Sequence, residues 1–309
     1  MPVTNGVGHS WVTPDKQDGL SAILAQQLAT VKAILRKRPN DPKKFIYIDA
    51  YAGCGVNGND GTPGSPVVFE RVADQVGNID FDAYAVELRE DNAAKLRGAV
   101  SRRTQVVCGD CSDLVPSIVQ NIERGSRWSY GIFYADPNYI PKRSAIEAVA
   151  QSLPRVDILL RLPAAALKRN GESIADICSI STNSKLKANW LIREPLSSDK
   201  FQWVFMFGTN FSGQQAWTSK RFYPVNAPKG EAILHRMCTS AKQEQVATQL
   251  NFLDHPINVA RQRSSGVCER CGSASASEPH HLRYDKNETA DDIKFLCHAC
   301  HCQAHGKAS

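Results

Sequence analysis

The sequence predicts an α/β protein, a mostly parallel sheet with helices on both faces, followed by a small zinc-held domain. Three observations predict it. Short apolar runs alternate with helix-like stretches, the pattern of a parallel sheet built from strand–helix units. The first of those runs, "KFIYIDAYAGCG", passes straight into a glycine turn. Near the C-terminus two C-x2-C pairs stand 25 residues apart, Cys268 and Cys271, then Cys297 and Cys300.

The elements follow in order. Residues 19–38 place Leu20, Ile23, Leu24, Leu28, Val31, Ile34 and Leu35 at helical spacing, and "PNDPKK" ends that helix. Further strands are read at "FDAYAVE", "TQVVCGD", "YGIFYADP", "VDILLRLP" and "FQWVFMFG", with helices at "REDNAAKLRGAVS" and "RSAIEAVAQSL" between them. The pattern fades after about residue 255. "VARQRSSGVCERC" is polar and linker-like, which sets a boundary near Gln262, with a first domain over 1–258 and a second over 263–309. So short a second domain needs a metal to hold it.

The bulk numbers agree. A chain of 309 residues suits two domains, and 42% hydrophobic with 22% charged residues is ordinary for a soluble protein. No apolar run approaches the roughly 20 residues of a membrane span, and the N-terminal stretch has no signal-peptide pattern. Ten cysteines then fit a reducing cytoplasm, where spaced pairs are metal ligands. The net charge of +6 is mild but uneven, with basic residues concentrated at Lys32–Lys44 and again around "SKRFYP", where Lys220 and Arg221 adjoin Phe222 and Tyr223. Bases interleaved with aromatics suit a polyanion, and Lys220, Arg221 and the Arg36–Lys44 cluster are candidate phosphate contacts.

Acidic residues stand at successive strand ends. Asp49 closes the first strand ahead of Gly53 and Gly55, where the backbone can approach a ligand. Glu87 closes the second, where a carboxylate can bridge two ribose hydroxyls, and Asp110 closes the third, near the expected place of an adenine. Asp136, Pro137, Asn138 and Tyr139 follow the fourth. In this order and spacing they resemble a Rossmann-like S-adenosylmethionine-dependent methyltransferase. Residues 19–210 resemble, more narrowly, the three-Cys-motif partner proteins, through the D-x-(F/Y)-A-G strand end and a "GSP" that opens a helix, with Ser65 as its cap and Pro66 in its first turn. The resemblance implies S-adenosylmethionine at Asp49, Gly53, Gly55, Glu87 and Asp110. "DPNY" resembles the D/N-P-P-Y/F tetrapeptide of enzymes that methylate exocyclic amines of bases. That implies Asp136 as acceptor from the amine and Tyr139 as the stacking ring, with Asn138 in place of the second proline.

The C-terminal tail holds five of the eight histidines. The four cysteines complete one tetrahedral zinc site. His301 and His305 share a helix face, and with His280 could hold a second metal, beside which an imidazole can deprotonate water. "HHLRYDKNETADDIKFLCHACHCQAH" resembles the HNH endonuclease ββα-metal motif over roughly residues 266–306. The resemblance implies His281 as general base and His280, His301 and His305 as ligands of a divalent ion (Mg²⁺, Mn²⁺, Ni²⁺ or Zn²⁺). It puts Asp292 where the family's base-orienting asparagine stands. Tyr284 and Glu288 fit the same branch without an assigned role.

Three functions follow as expectations. The first is an HNH endonuclease that cuts DNA, with a methyltransferase-like domain that binds or modifies the target, as in phage or bacterial defence. The second is a nucleic-acid methyltransferase whose zinc domain only grips DNA. The third is a non-enzymatic binding module. The sequence names no protein partner.

Overall fold

A computed structural model of the protein describes residues 13–56, 61–137, 139, 141–164, 167, 186–195, 203–212, 215–238, 255–273, 276–283 and 289–306. It divides into two compact units, Met1–Cys238 and Thr239–Ser309. The helix Pro256–Ser264 lies within the second of them.

The first unit is a Rossmann-like, mostly parallel sheet flanked by helices. Strands β1 (Phe45–Asp49), β2 (Phe81–Glu87), β3 (Thr104–Cys108), β4 (Gly131–Ala135), β5 (Val156–Pro163), β6 (Asn189–Arg193), β7 (Trp203–Thr209) and β8 (Phe222–Pro224) lie in the order β3-β2-β1-β4-β5-β7-β6-β8. β1 pairs in parallel with both β2 and β4, so the winding reverses there, and doubly wound sheets bind ligands at that point. β7 is antiparallel to both β5 and β6. Sequence reading found β7 and missed β6 and β8, which have three to five residues and gain their stability from pairing.

Both faces of the sheet are covered, which explains why β1 reads as an unbroken apolar run. Ile46 and Ile48 face one core, with Val115, Val119, Ile146 and Val149 of α4 (Cys111–Ser126) and α5 (Arg143–Ser152). Phe45 and Tyr47 face the other, with Leu20, Leu24 and Leu28 of α1 (Thr13–Lys37) and Phe69 of α2 (Ser65–Val76). The Tyr47 and Phe69 rings stack with centroids 4.0 Å apart. Phe222, expected beside Lys220 and Arg221 as part of a basic–aromatic surface, is buried against Trp217 and Phe207 instead. Arg221 pairs with Glu194 at 3.3 Å. Lys32 is likewise withdrawn from the basic stretch. Its ammonium donates to the Val76 and Gly77 carbonyls at the C-terminus of α2, the favoured end for a cation.

In the second unit β9 (Glu278–His281) and β10 (Ile293–Leu296) form an antiparallel pair that puts His281 opposite Ile293 and His280 opposite Lys294. The helix His298–Ala304 follows, giving a ββα order. Ala260 of the Pro256–Ser264 helix packs on Ile293 and Phe295. Among the described residues, no helix is long and apolar enough to cross a membrane.

Candidate functional site

A cavity of about 290 Å³ opens at the carboxyl ends of β1, β2, β3 and β4. Its lining includes Gly53, Gly55, Glu87, Asp110, Asp136 and Tyr139, residues separated by up to 86 positions and singled out from sequence. Asn138 lies outside the described residues.

Each wall has a local cause. Gly53 and Gly55 adopt φ of 66° and 82°, which L side chains rarely take. At Gly53 a Cβ would meet open space, whereas at Gly55 it would collide with Ala99 and Leu96 of α3 (Glu90–Ala99). Gly55 therefore serves helix packing more than ligand approach. Glu87 ties the turn down, since its carboxylate accepts from Gly53 N at 2.9 Å, Arg89 N at 3.1 Å and Asn92 Nδ2 at 3.2 Å. Asp110 is the N-cap of α4, accepting from Ser112 N at 2.8 Å and Ser112 Oγ at 2.7 Å, and these bonds hold its carboxyl below the usual range.

Asp49, expected among the cofactor contacts, is fully buried beneath the turn and does not line the cavity. It accepts from Tyr51 N at 3.1 Å and Tyr47 Oη at 2.9 Å, and from the Ser65 hydroxyl, while burial pushes its pKa up to about 6. Its role is to fix the glycine turn. Ser65, expected as a helix cap, is the first residue of α2 behind Gly64 and directs its hydroxyl to Asp49, while Pro66 takes the expected first turn.

Asp136, expected as the acceptor from an amine, lines the cavity. Its carboxylate accepts from Arg161 at 2.9 Å and Tyr134 Oη at 3.1 Å and is paired with Lys16. Tyr139 is exposed and meets Tyr51 edge-on, centroids 6.0 Å apart. Sequence reading missed Lys16 and Gln17, which α1 brings to the cavity from well ahead of the first strand, and it missed Arg161. A guanidinium inside "VDILLRLP", where Asp157 is the one other charged residue, was the signal available for Arg161.

The second unit gathers two ligand sets. In each, the ligand atoms lie within 4.8 Å of one another: Cys268, Cys271, Cys297 and Cys300 in one, His280, His301 and His305 in the other. Four thiols so placed fit zinc and suit a small zinc domain, and Cys302 stands outside the set. Backbone N–H groups, first that of Cys297, hold the Cys268 thiol down to about 6, favouring the thiolate a metal needs. In the histidine set, His280 Nδ1 lies 3.3 Å from His305 Nε2, and Glu278 Oε2 lies 2.6 Å from His301 Nδ1. Three imidazoles fit a divalent ion, and a carboxylate behind one of them fixes its ring.

His281, next to His280 on β9, is outside that trio. The Asp292 carboxylate, expected to orient His281, instead accepts from Thr289 N and Oγ1, both at 2.9 Å, and stands 3.6 Å from Arg283. It closes the capping box of the turn Ala290–Asp292, and its backbone carbonyl accepts from Leu282 N at 2.8 Å. Tyr284 and Glu288 lie outside the described residues.

No family model and no curated protein matches the sequence. Solved structures do. Human methyltransferase-like protein 13 in complex with S-adenosylhomocysteine aligns at 14% identity and TM-score 0.44, over 71% of this chain and 91% of its own. A protein from Legionella pneumophila aligns at 11% and 0.42, over 70% and 92%. An rRNA methylase from Streptococcus thermophilus aligns at 15% and 0.32, over 66% and 99%. At these identities and scores the likeness assigns neither activity nor substrate to this chain.

Proposed function

We propose that the first unit binds S-adenosylmethionine in the cavity at the sheet's switch point and transfers its methyl group to a nucleic acid, which the zinc-held second unit grips. The observation that carries this reading is the convergence of the Gly53 turn, Glu87, Asp110 and Asp136 on one crevice outside the carboxyl ends of four strands. Glu87 and Asp110 are at the strand ends where a nucleoside's hydroxyls and base would be met, and the Gly53 backbone is open to the ligand. Arg161, Tyr134 and Lys16 occupy three of the about four acceptor sites of the Asp136 carboxylate, which leaves one toward an incoming amine, and the methylated atom is left unassigned. The test is transfer of a labelled methyl group from S-adenosylmethionine to DNA and to RNA. No transfer to either, with cofactor bound, would leave this unit a cofactor-binding scaffold.

A second reading rests on its own observation, the trio His280, His301 and His305 in a ββα order beside a four-cysteine set. There a divalent ion would neutralise the scissile phosphate and leaving oxygen of a phosphodiester, and His281 would take the proton of the attacking water. The check is plasmid nicking in Mg²⁺, Mn²⁺ or Ni²⁺. Nicking undiminished in His281→Ala would remove that histidine from the mechanism.

A further inference from the structure

Opposite the cavity, at the amino ends of the strands, the first unit carries a basic surface around one exposed tryptophan. Trp128 is 51% exposed, unusual for the largest apolar side chain in a well-filled domain. The Arg127 guanidinium lies 5.4 Å from its ring centroid and that of Arg155 lies 5.3 Å from it. Arg155 also lies 4.8 Å from the Tyr130 ring.

Topology gathers further charge beside that ring. Lys43 and Lys44 immediately precede β1, Arg127 stands just ahead of β4 and Arg155 immediately precedes β5, and these three strands are neighbours in the sheet. Arg36, Lys37 and Arg38 end or follow α1. The segments meet physically. Asp41 accepts from Tyr130 Oη at 2.7 Å, is 3.0 Å from Arg155 and feels Arg38. Lys43 and Lys44 share a cavity of about 300 Å³ with Ser126 and Ser129, either side of Trp128 in sequence. Against the seven bases stand Asp41, Asp80 and Asp82, so the patch keeps a surplus of four positive charges. Among the described residues, Arg36, Lys37, Arg38, Lys43 and Arg127 carry no ion pair with a carboxylate.

We infer that this face is a binding site for single-stranded nucleic acid, with Trp128 as the stacking platform and the lysines and arginines as phosphate contacts. Charge complementarity picks a polyanion, and the ring picks one with exposed bases. An aromatic face and a guanidinium plane both stack on a base, and in a duplex those faces are hidden. The site is on the edge of the sheet opposite the cavity, so it captures the polymer and leaves the acceptor to the other end. It rests on this surface alone, and a failure to bind S-adenosylmethionine would leave it untouched.

The test is fluorescence anisotropy with the full chain and a labelled single-stranded oligonucleotide of about 15 nucleotides, enough for one binding groove. Trp128→Ala is expected to weaken binding about tenfold and Arg127→Glu by a similar factor, with thermal midpoints unchanged because both side chains are exposed. Lys43→Ala is expected to flatten the salt dependence, by about 0.7 in the slope of log affinity against log salt. Parental affinity in both Trp128→Ala and Arg127→Glu would overturn the inference. So would equal preference for the matching duplex, or binding to anionic phosphatidylserine vesicles with none to the oligonucleotide.

Discussion

Arg161 donates to the Asp136 carboxylate across 2.9 Å, and Lys16 of α1 pairs with the other oxygen of the same group. Two cations from elements 145 positions apart thus meet on one carboxylate at the cavity wall. The group that a tetrapeptide motif marks as an amine acceptor thus also ties the first helix to the sheet.

Removing that anchor strands a charge. Arg161 is largely buried, and its Nε already lacks a partner. Asp136→Ala is expected to destabilise the first unit by about 3 kcal/mol, the cost of leaving one member of a buried pair alone. Urea unfolding followed by circular dichroism measures it, and a change below about 1 kcal/mol, the range of surface pairs, would show the pair to be merely superficial.

A second relationship concerns the histidine trio. Glu278 accepts at 2.6 Å from His301 Nδ1 and at 2.7 Å from His298 Nδ1, which leaves His301 Nε2 for a metal. Carboxylates placed behind ligating histidines set metal affinity, so Glu278→Gln is expected to weaken Ni²⁺ binding about 10- to 100-fold. Calorimetric titration of Ni²⁺ into zinc-loaded protein reads this directly. Unchanged affinity would make Glu278 a surface partner of His298.

The four-cysteine set predicts a chelator effect. The second unit's own cores are small, with Leu296 packed among the cysteines and Ala260, Ile293 and Phe295 forming the other cluster. Such a unit depends on its metal. Stripping zinc is expected to expose four further thiols to a thiol reagent and to make the chain beyond Cys238 protease-sensitive while the first unit survives. Co-unfolding of both units would contradict this.

Stability should also depend on Asp157. It is fully buried near the start of β5, where its carboxyl takes bonds from Gln27 and Thr209 and feels the buried Lys187 ammonium. Burial pushes its pKa up to about 7 from 3.8, so between those values the folded state holds a proton that the unfolded state has lost. The protonated form is the one burial favours, and stability from this residue falls as pH rises from about 4 to 7. Asp49, raised to about 6, adds to the same trend. Thermal midpoints across that range should slope downward less steeply in Asp157→Asn, and an identical slope would remove Asp157 from the cause.

Much of the first unit was legible because its signals are local. An apolar run ending in aspartate and a positive-φ glycine turn announce strand and turn together, as at Asp49 and Gly53. What local signals could not give is which of those acids reaches the cavity. Asp49 and Glu87 occupy matching strand ends, yet one is sealed under the turn and the other lines the crevice. The difference comes from Ser65 and Tyr47 closing over Asp49, contacts set by packing. Lys16 was illegible for the same reason, since its partner lies on β4's far end. In the second unit the spacing of Cys268, Cys271, Cys297 and Cys300 foretold their meeting, whereas Asp292 was diverted by Thr289, a capping bond three residues away.

The central claim is that the crevice beside Glu87 binds S-adenosylmethionine. Calorimetric titration of the full chain with S-adenosylmethionine, and with S-adenosylhomocysteine, tests it most directly. Saturable binding to one site, weakened in Glu87→Ala and in Gly53→Val, is the predicted result. No detectable heat at millimolar cofactor, or binding indifferent to both substitutions, would contradict it.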